Sequence, residues 1–512
     1  MGSGGLSRIL QNAVSNYARQ LIQIITFLLL TPFIISKVGT EEFGLWSLIQ
    51  ATIGLLGLLD LGFANAVVKY IAEARGQGNQ ERVKEFTATF FWLYLLLGVV
   101  VGLLTVALVP LLGPVFGVPE EHLKTAQTVF VLIGLRSALG MPLGLFAGIL
   151  VGYQRQLASN FCRTLGTVSY AVLAWWGLEY SPTLEMLAWV SLWTGIGANI
   201  LAVFFCWWYA EGLELGVSRV KLGLFGEITS FSTYFFLIQI SLMLATRVDT
   251  IVVNAFLPLS AVALYTVALR VAEKAGVMSR QFANSLTPLF AELKGAGEAE
   301  KIQRLLRGGT RISIILSLPL FLGLLILCEP LLVVWMGEEF FEATVPCQIL
   351  VLASFVSLVH SNSENVLSMT GDQRFLAFSS IGTQVLNLAL TLAMIPFLGL
   401  MGVALGTLLS LLIVQVLYLQ KRIAKTQGIP LTQFYGEQLL PCIVPGAIYA
   451  LSCWLLSLLF EPTGWMEILL AGSIPLLPYI LGVYLWGLRE EERSYVLKKI
   501  QRRRVRTQEV VS

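Results

Sequence analysis

Runs of about 20 apolar residues, the length at which an α-helix crosses the hydrocarbon layer, alternate along the chain with short polar turns. The pattern predicts fourteen membrane spans: 16–36, 43–66, 88–112, 125–150, 162–179, 184–208, 229–256, 260–290, 310–330, 344–369, 374–396, 399–420, 438–460 and 465–487. Residues 20–36 are too long for the apolar core of a signal peptide, and no small-residue cleavage site follows, so this run reads as the first span. An all-α polytopic membrane protein is the predicted fold class.

The pattern also repeats. Sliding residues 43–85 onto 262–304 without gaps, an offset of 219, aligns "FAN" at 63–65 with "FAN" at 282–284 and "AEARGQGNQER" with "AELKGAGEAEK". The identities cluster around one polar loop, as duplication requires and compositional chance does not. The offset lays span 2 on span 8, with an even number of helices between, so the two halves share one orientation as a parallel repeat. A six-helix lobe over 1–215, a second over 216–425, two extra helices within 426–487 and a basic tail at 488–512 are therefore expected.

Composition agrees with the membrane reading. The chain is 13% charged with mean hydropathy +0.77, against roughly 25% charged in soluble domains. Of 34 Lys and Arg, 27 fall in alternate loops, in the tail or at the span ends beside them, only Lys37 and Lys124 fall in the other loops, and Arg136, Arg247, Arg270, Lys274 and Arg280 lie deeper inside spans. This asymmetry is the positive-inside pattern and predicts that both termini are cytoplasmic. It also predicts that 260–290 crosses the membrane, since otherwise every later basic loop would face outward. The net charge of +3 thus reports loop distribution, and no nucleic-acid partner is implied.

The crossing at 260–290 carries four charges. At 100° per residue Thr266, Arg270, Glu273, Lys274, Arg280 and Asn284 share an arc of about 120°, with Leu264, Val267, Val271, Ala275, Met278 and Phe282 opposite. Each charge costs about 2.5–3.5 kcal/mol at mid-bilayer unless it pairs or meets water. The first copy has Ala51, Gly54, Leu55 and Leu61 at the equivalent positions, so the fold itself does not demand charge there. Glu273 can balance Arg270 at i−3 or Lys274, and a net positive face remains, suited to an anionic ligand. Arg19, in the stripe Asn16, Arg19, Gln20, Gln23 and Thr26, either joins such a cavity or snorkels to the interface. Arg136 and Arg247 are further cavity cations. Asp249 can neutralise Arg247, Arg270 or Lys274, and Asp60 and Glu364 are either proton or cation sites or structural caps.

No phosphate-loop motif GxxxxGK[ST] is present. His122 and His360 are the only histidines and the six cysteines show no CxxC spacing, so no cofactor or metal site is expected. Cys328 and Cys347 flank one predicted external loop, either as a disulfide or as two apolar thiols.

The segments "LLLTPFIISKVGTEEFGLWSLIQATIGLLGLLDLGFANAVVKYIAEARG", "RVDTIVVNAFLPLSAVALYTVALRV" and "LTPLFAEL" resemble the polysaccharide-transporter, O-antigen flippase type of the multidrug/oligosaccharidyl-lipid/polysaccharide superfamily. That resemblance implies two six-helix lobes around a central cavity, alternating access, and export of polyprenyl-diphosphate-linked sugars across the bacterial cytoplasmic membrane. It further implies cationic substrate contacts on helices 1 and 8, where Arg19 and Arg270 lie, and a lipid-guiding role for spans 13 and 14. Glycosyltransferases and a polymerase of the same pathway are the implied partners. The alternatives are a cation-coupled drug or metabolite antiporter, which should carry acidic cavity residues, and a membrane polymerase or ligase. The predicted external loops are short for an enzyme of that kind.

Overall fold

The computed structural model describes residues 3–210, 213–221, 223–226, 228, 229, 236, 240, 241 and 243–488, and every regular element among them is helical. The chain divides into two compact units, Met1–Thr266 and Val267–Ser512.

The first unit contains α1 (Ser3–Val38), α2 (Thr40–Leu56), α3 (Phe63–Gly76), α4 (Gln80–Leu108), α5 (Leu123–Gly152), α6 (Gln156–Tyr180), α7 (Leu184–Tyr209) and α8 (Asp249–Phe256). Helix α9 (Leu259–Ser285) begins in this unit and continues into the second. There follow α10 (Thr287–Gly295), α11 (Ala299–Ile326), α12 (Cys328–Met336), α13 (Thr344–Thr370), α14 (Gln373–Leu398) and α15 (Leu400–Leu411). A π-helical stretch, Leu412–Leu419, joins α15 to α16 (Gln420–Gln427). The last elements are α17 (Leu431–Gln438), α18 (Leu440–Phe460), α19 (Trp465–Ser473) and α20 (Leu476–Gly482).

Eleven helical stretches among the described residues are long and apolar enough to cross a membrane. Helices α6 and α9, with 25 and 27 residues, have the length as well. The predicted span 229–256 and the basic tail lie partly or wholly outside the described residues. Large apolar side chains such as Leu103, Trp176 and Phe397 are exposed, as expected of surfaces that face lipid.

The duplication appears in the backbone. Helices α2 and α9 start 219 residues apart, α3 and α10 end 219 apart, and α4 and α11 start 219 apart. The tight turn before the last pair holds Gly78 at φ 68° and its counterpart Gly297 at φ 72°, left-handed conformations that glycine adopts without a Cβ clash. Equivalent residues of both copies are buried: Val67 and Leu286, Ile71 and Phe290, Val83 and Ile302. These pairs anchor the cores of the two units.

Helix contacts are close where glycine permits them. A Cβ on Gly134 would stand 2.1 Å from the Thr105 side chain, and one on Gly406 would stand 2.6 Å from that of Thr391. Backbones can therefore approach, and van der Waals contact replaces the hydrophobic drive that lipid removes.

Among the described residues, expected spans are interrupted at several points. Span 43–66 breaks at a 3-10 turn, Gly57–Asp60, followed by Leu61 at φ 49° and Gly62 at φ 78°. Two left-handed residues in succession cannot continue an α-helix. The span expected over 310–330 ends at Ile326, and α12 is a separate helix. The last span is broken at Pro475, which supplies no N–H to the helix before it.

Candidate functional site

The cationic face predicted on α9 forms two groups. In the first, Arg270 Nη1 donates to Glu273 Oε2 at 2.9 Å, with the two side chains 35% and 24% exposed. Lys274 is partly buried beside both, close enough to feel each charge. One carboxylate therefore stands against two cations, and the group keeps a positive balance. In the second, Arg280 Nη1 donates to Ser357 Oγ of α13 at 3.3 Å. Glu364, on the same face of α13 two turns later, is an electrostatic neighbour of Arg280 and accepts from Gln415 Nε2 at 3.3 Å. These groups are partly buried, which lowers the local dielectric and strengthens the attraction of the cations for an anion.

The first unit contains a cavity of about 530 Å³. It exists because α5 presents Gly140, Gly144 and Gly148 at helical i, i+4 spacing, and nothing lies within 4 Å of where a Cβ on Gly144 would be. Asp60, Asn65, Tyr94, Ser137 and Arg163 supply its polar lining. The break in the second predicted span places Asp60 there. Its Oδ1 accepts from Tyr94 Oη at 2.5 Å, and its Oδ2 accepts from the Ala64 N–H at 3.4 Å, where it caps the first turn of α3.

The other charged candidates are dispersed. Arg247 lies against Gly54, a wall of the cavity, where a Cβ would stand 2.9 Å from Nε. Asp249 is buried and accepts from Tyr265 Oη at 3.0 Å. Arg19 is an electrostatic neighbour of Arg163 on α6. Asn16 of the same α1 stripe accepts from Asn160 Nδ2 at 2.7 Å, so the stripe is turned toward α6. Arg136 packs on α7 instead, with Nε 2.7 Å from where a Cβ on Gly195 would be, and it is absent from the cavity wall.

The hydropathy and charge pattern does not single out Arg163, Tyr94 or the glycine ladder. Arg163 starts a span, where a basic residue reads as a loop cation. Tyr94 sits in an unbroken apolar run, and only the folded backbone brings it to Asp60. The i, i+4 glycines were a legible signal of close approach. On the surface, Glu41, Glu121 and His122 each bring one ligand-type atom within 4.8 Å of the others, a metal-type grouping among the described residues that the sequence reading did not foresee.

Comparison with known proteins places this geometry. A family model described as polysaccharide biosynthesis protein matches residues 6–294, and the MatE model matches 235–393. The chain is 20% identical to the uncharacterized membrane protein EpsK of Bacillus subtilis, covering 96% of this chain and 98% of that one. It is 23% identical to the probable flippase AglR of Haloferax volcanii over 85% and 87% of the two chains. A putative O-antigen transporter of Shigella flexneri is 21% identical, over 80% and 97%. Among solved structures, the lipid II flippase MurJ in an inward closed conformation aligns with a TM-score of 0.69 at 14% identity, covering 93% and 98%. An inward-facing multidrug resistance transporter of the MATE family aligns at 0.70 and 15% identity, covering 79% and 95%. With more than half of its length matched by the family model, the chain belongs to the polysaccharide biosynthesis protein family, and it shares the helical fold of both structural neighbours.

Proposed function

We propose that the protein is a flippase that moves a polyprenyl-diphosphate-linked oligosaccharide from the cytoplasmic to the outer leaflet of the bacterial cytoplasmic membrane by alternating access. The observation that carries this reading is the partly buried cationic face of α9, where Arg270, Lys274 and Arg280 outnumber Glu273. A diphosphate cannot shed its hydration in hydrocarbon without a large loss, and a guanidinium restores two hydrogen bonds at once to phosphate oxygens. Arg270 and Lys274 bind the diphosphate in this reading. Glu273 fixes their geometry and limits the positive charge when no substrate is present.

The named flippase and transporter relatives support the substrate class. Both termini face the cytoplasm, as the Lys and Arg distribution expects, and the transporter catalyses no covalent chemistry. Enzymes that assemble and polymerise the glycan act before and after it.

A cation-coupled antiporter is the second reading, favoured by the MatE match and by the carboxylate of Asp60 in the first-unit cavity. Leaflet-resolved analysis of lipid-linked sugars separates the two. Loss of the protein should leave the sugar-linked lipid on the cytoplasmic leaflet; an unchanged distribution with new sensitivity to cationic drugs would select the antiporter.

A further inference from the structure

Cys328 opens α12 and Cys347 lies in the first turn of α13. Between them Gly337, left-handed at φ 99°, and the 3-10 turn Glu338–Ala343 reverse the chain. That reversal brings the two helix starts together: Cys328 Sγ donates to the Thr344 carbonyl at 3.6 Å. In an α-helix the carbonyl of one residue lies beside the side chain three positions on, so a sulfur that reaches the Thr344 oxygen is beside Cys347. Both cysteines are free thiols in the structure, each an electrostatic neighbour of the other, and they are 1% and 0% exposed.

The surrounding sequence indicates the compartment. No Lys or Arg occurs between Arg311 and Arg374, whereas Glu329, Glu338, Glu339 and Glu342 crowd the reversal. By the positive-inside pattern the reversal faces outward, where thiols meet an oxidising environment.

We propose that Cys328 and Cys347 are joined by a disulfide that closes the 329–346 hairpin at the outer surface. The assignment rests on the orientation adopted in the proposed function. Two S–H bonds are lost and one S–S bond forms; the two electrons and two protons pass to the disulfide of an extracytoplasmic thiol oxidoreductase, which leaves as a dithiol. Burial of both sulfurs requires that exchange to occur while the hairpin is still packing, and afterwards it shields the bond from reductant.

Thiol counting on the full-length protein tests the assignment. The protein is denatured directly from membranes and treated with a maleimide, with and without prior reduction, and adducts are counted by intact mass. Of the six cysteines, two fewer should be labelled without reduction. Cys328→Ser should abolish the difference, and Cys442→Ser should keep it. Equal labelling overturns the disulfide, and a difference that survives Cys328→Ser places the bond elsewhere and overturns it too. Orientation is read separately from Glu338→Cys in a chain lacking Cys328 and Cys347. Labelling by an impermeant maleimide added outside, alongside equal thiol counts, would reject the disulfide alone; labelling only after permeabilisation would reject the orientation with it.

Discussion

Between Thr40 and Leu108 the chain runs helix, break, helix, left-handed glycine, helix. From Leu259 to Ile326 it follows the same course 219 residues later, except that α9 continues where α2 stops. The broken copy bends at Gly57–Gly62 and turns Asp60 toward Tyr94 and a cavity. In the second copy α9 runs on past the equivalent positions to Ser285 and carries Arg270, Glu273, Lys274 and Arg280. What the copies share is therefore scaffold: the glycine turn and the buried pairs around it. Where they differ, charge has been placed against the membrane's preference, and such placement needs a functional reason.

The shared part should respond alike to mutation. Ile71→Ala and Phe290→Ala remove equivalent buried side chains and should destabilise by about 2–5 and about 3–5 kcal/mol respectively, read as thermal unfolding in detergent. A large loss in one copy and none in the other would break the equivalence.

The unshared polar contact should respond unequally. Tyr94→Phe deletes the bond to Asp60 and should cost about 1–3 kcal/mol. Its counterpart Ser313 bonds its own helix at Gly309, so Ser313→Ala should cost less, about 1 kcal/mol at most. Equal losses would mean that Asp60 gains nothing from the break.

A smaller difference separates the two copies at their polar ends. In the first, Lys84 pairs with Glu81 at 3.1 Å and Glu214 at 2.9 Å, while Arg219 bonds the same two carboxylates at 2.7 Å each. The equivalent of Lys84 is Gln303, which bonds the Gln427 carbonyl at 2.7 Å. The hydrogen bond from Lys84, then that from Arg219, holds the Glu214 carboxyl below its ordinary range. A depressed folded pKa contributes stability above the unfolded value of about 4.3, and that contribution disappears as pH falls through the folded value. Glu214→Gln should thus lower the melting temperature slightly at neutral pH, and the gap should close in acid; Gln303→Ala should show a gap that does not change with pH.

Much of this was legible before folding. The repeat was carried by "FAN" and the polar loop after it, because a left-handed turn constrains sequence locally. The positive face of α9 was visible in the spacing of Arg270, Lys274 and Arg280. The break at Gly57–Gly62 was harder to read, since leucines fill both sides and hydropathy cannot distinguish an α-helix from a 3-10 turn. Arg136 packs on α7 while Arg163, which the sequence pattern does not single out, lines the cavity, because depth along a span does not reveal which neighbour a side chain meets. The Asp60–Tyr94 bond and the meeting of Cys328 with Cys347 depend on packing and chain reversal that periodicity alone does not encode.

The proposed function assigns the charges of α9 to transport and not to folding. Its most direct test measures flipping and abundance together in an Arg270→Ala, Lys274→Ala double variant. Deleting intramembrane charge lowers the insertion cost, so abundance should be at least that of the parent. Loss of charge-assisted bonds worth about 1.5–3 kcal/mol each should reduce transport by about tenfold or more. Arg270→Lys should fall between the two, retaining charge without the planar fork. Parental transport by a fully abundant double variant would contradict the claim, as would a fall in transport that merely follows a fall in abundance.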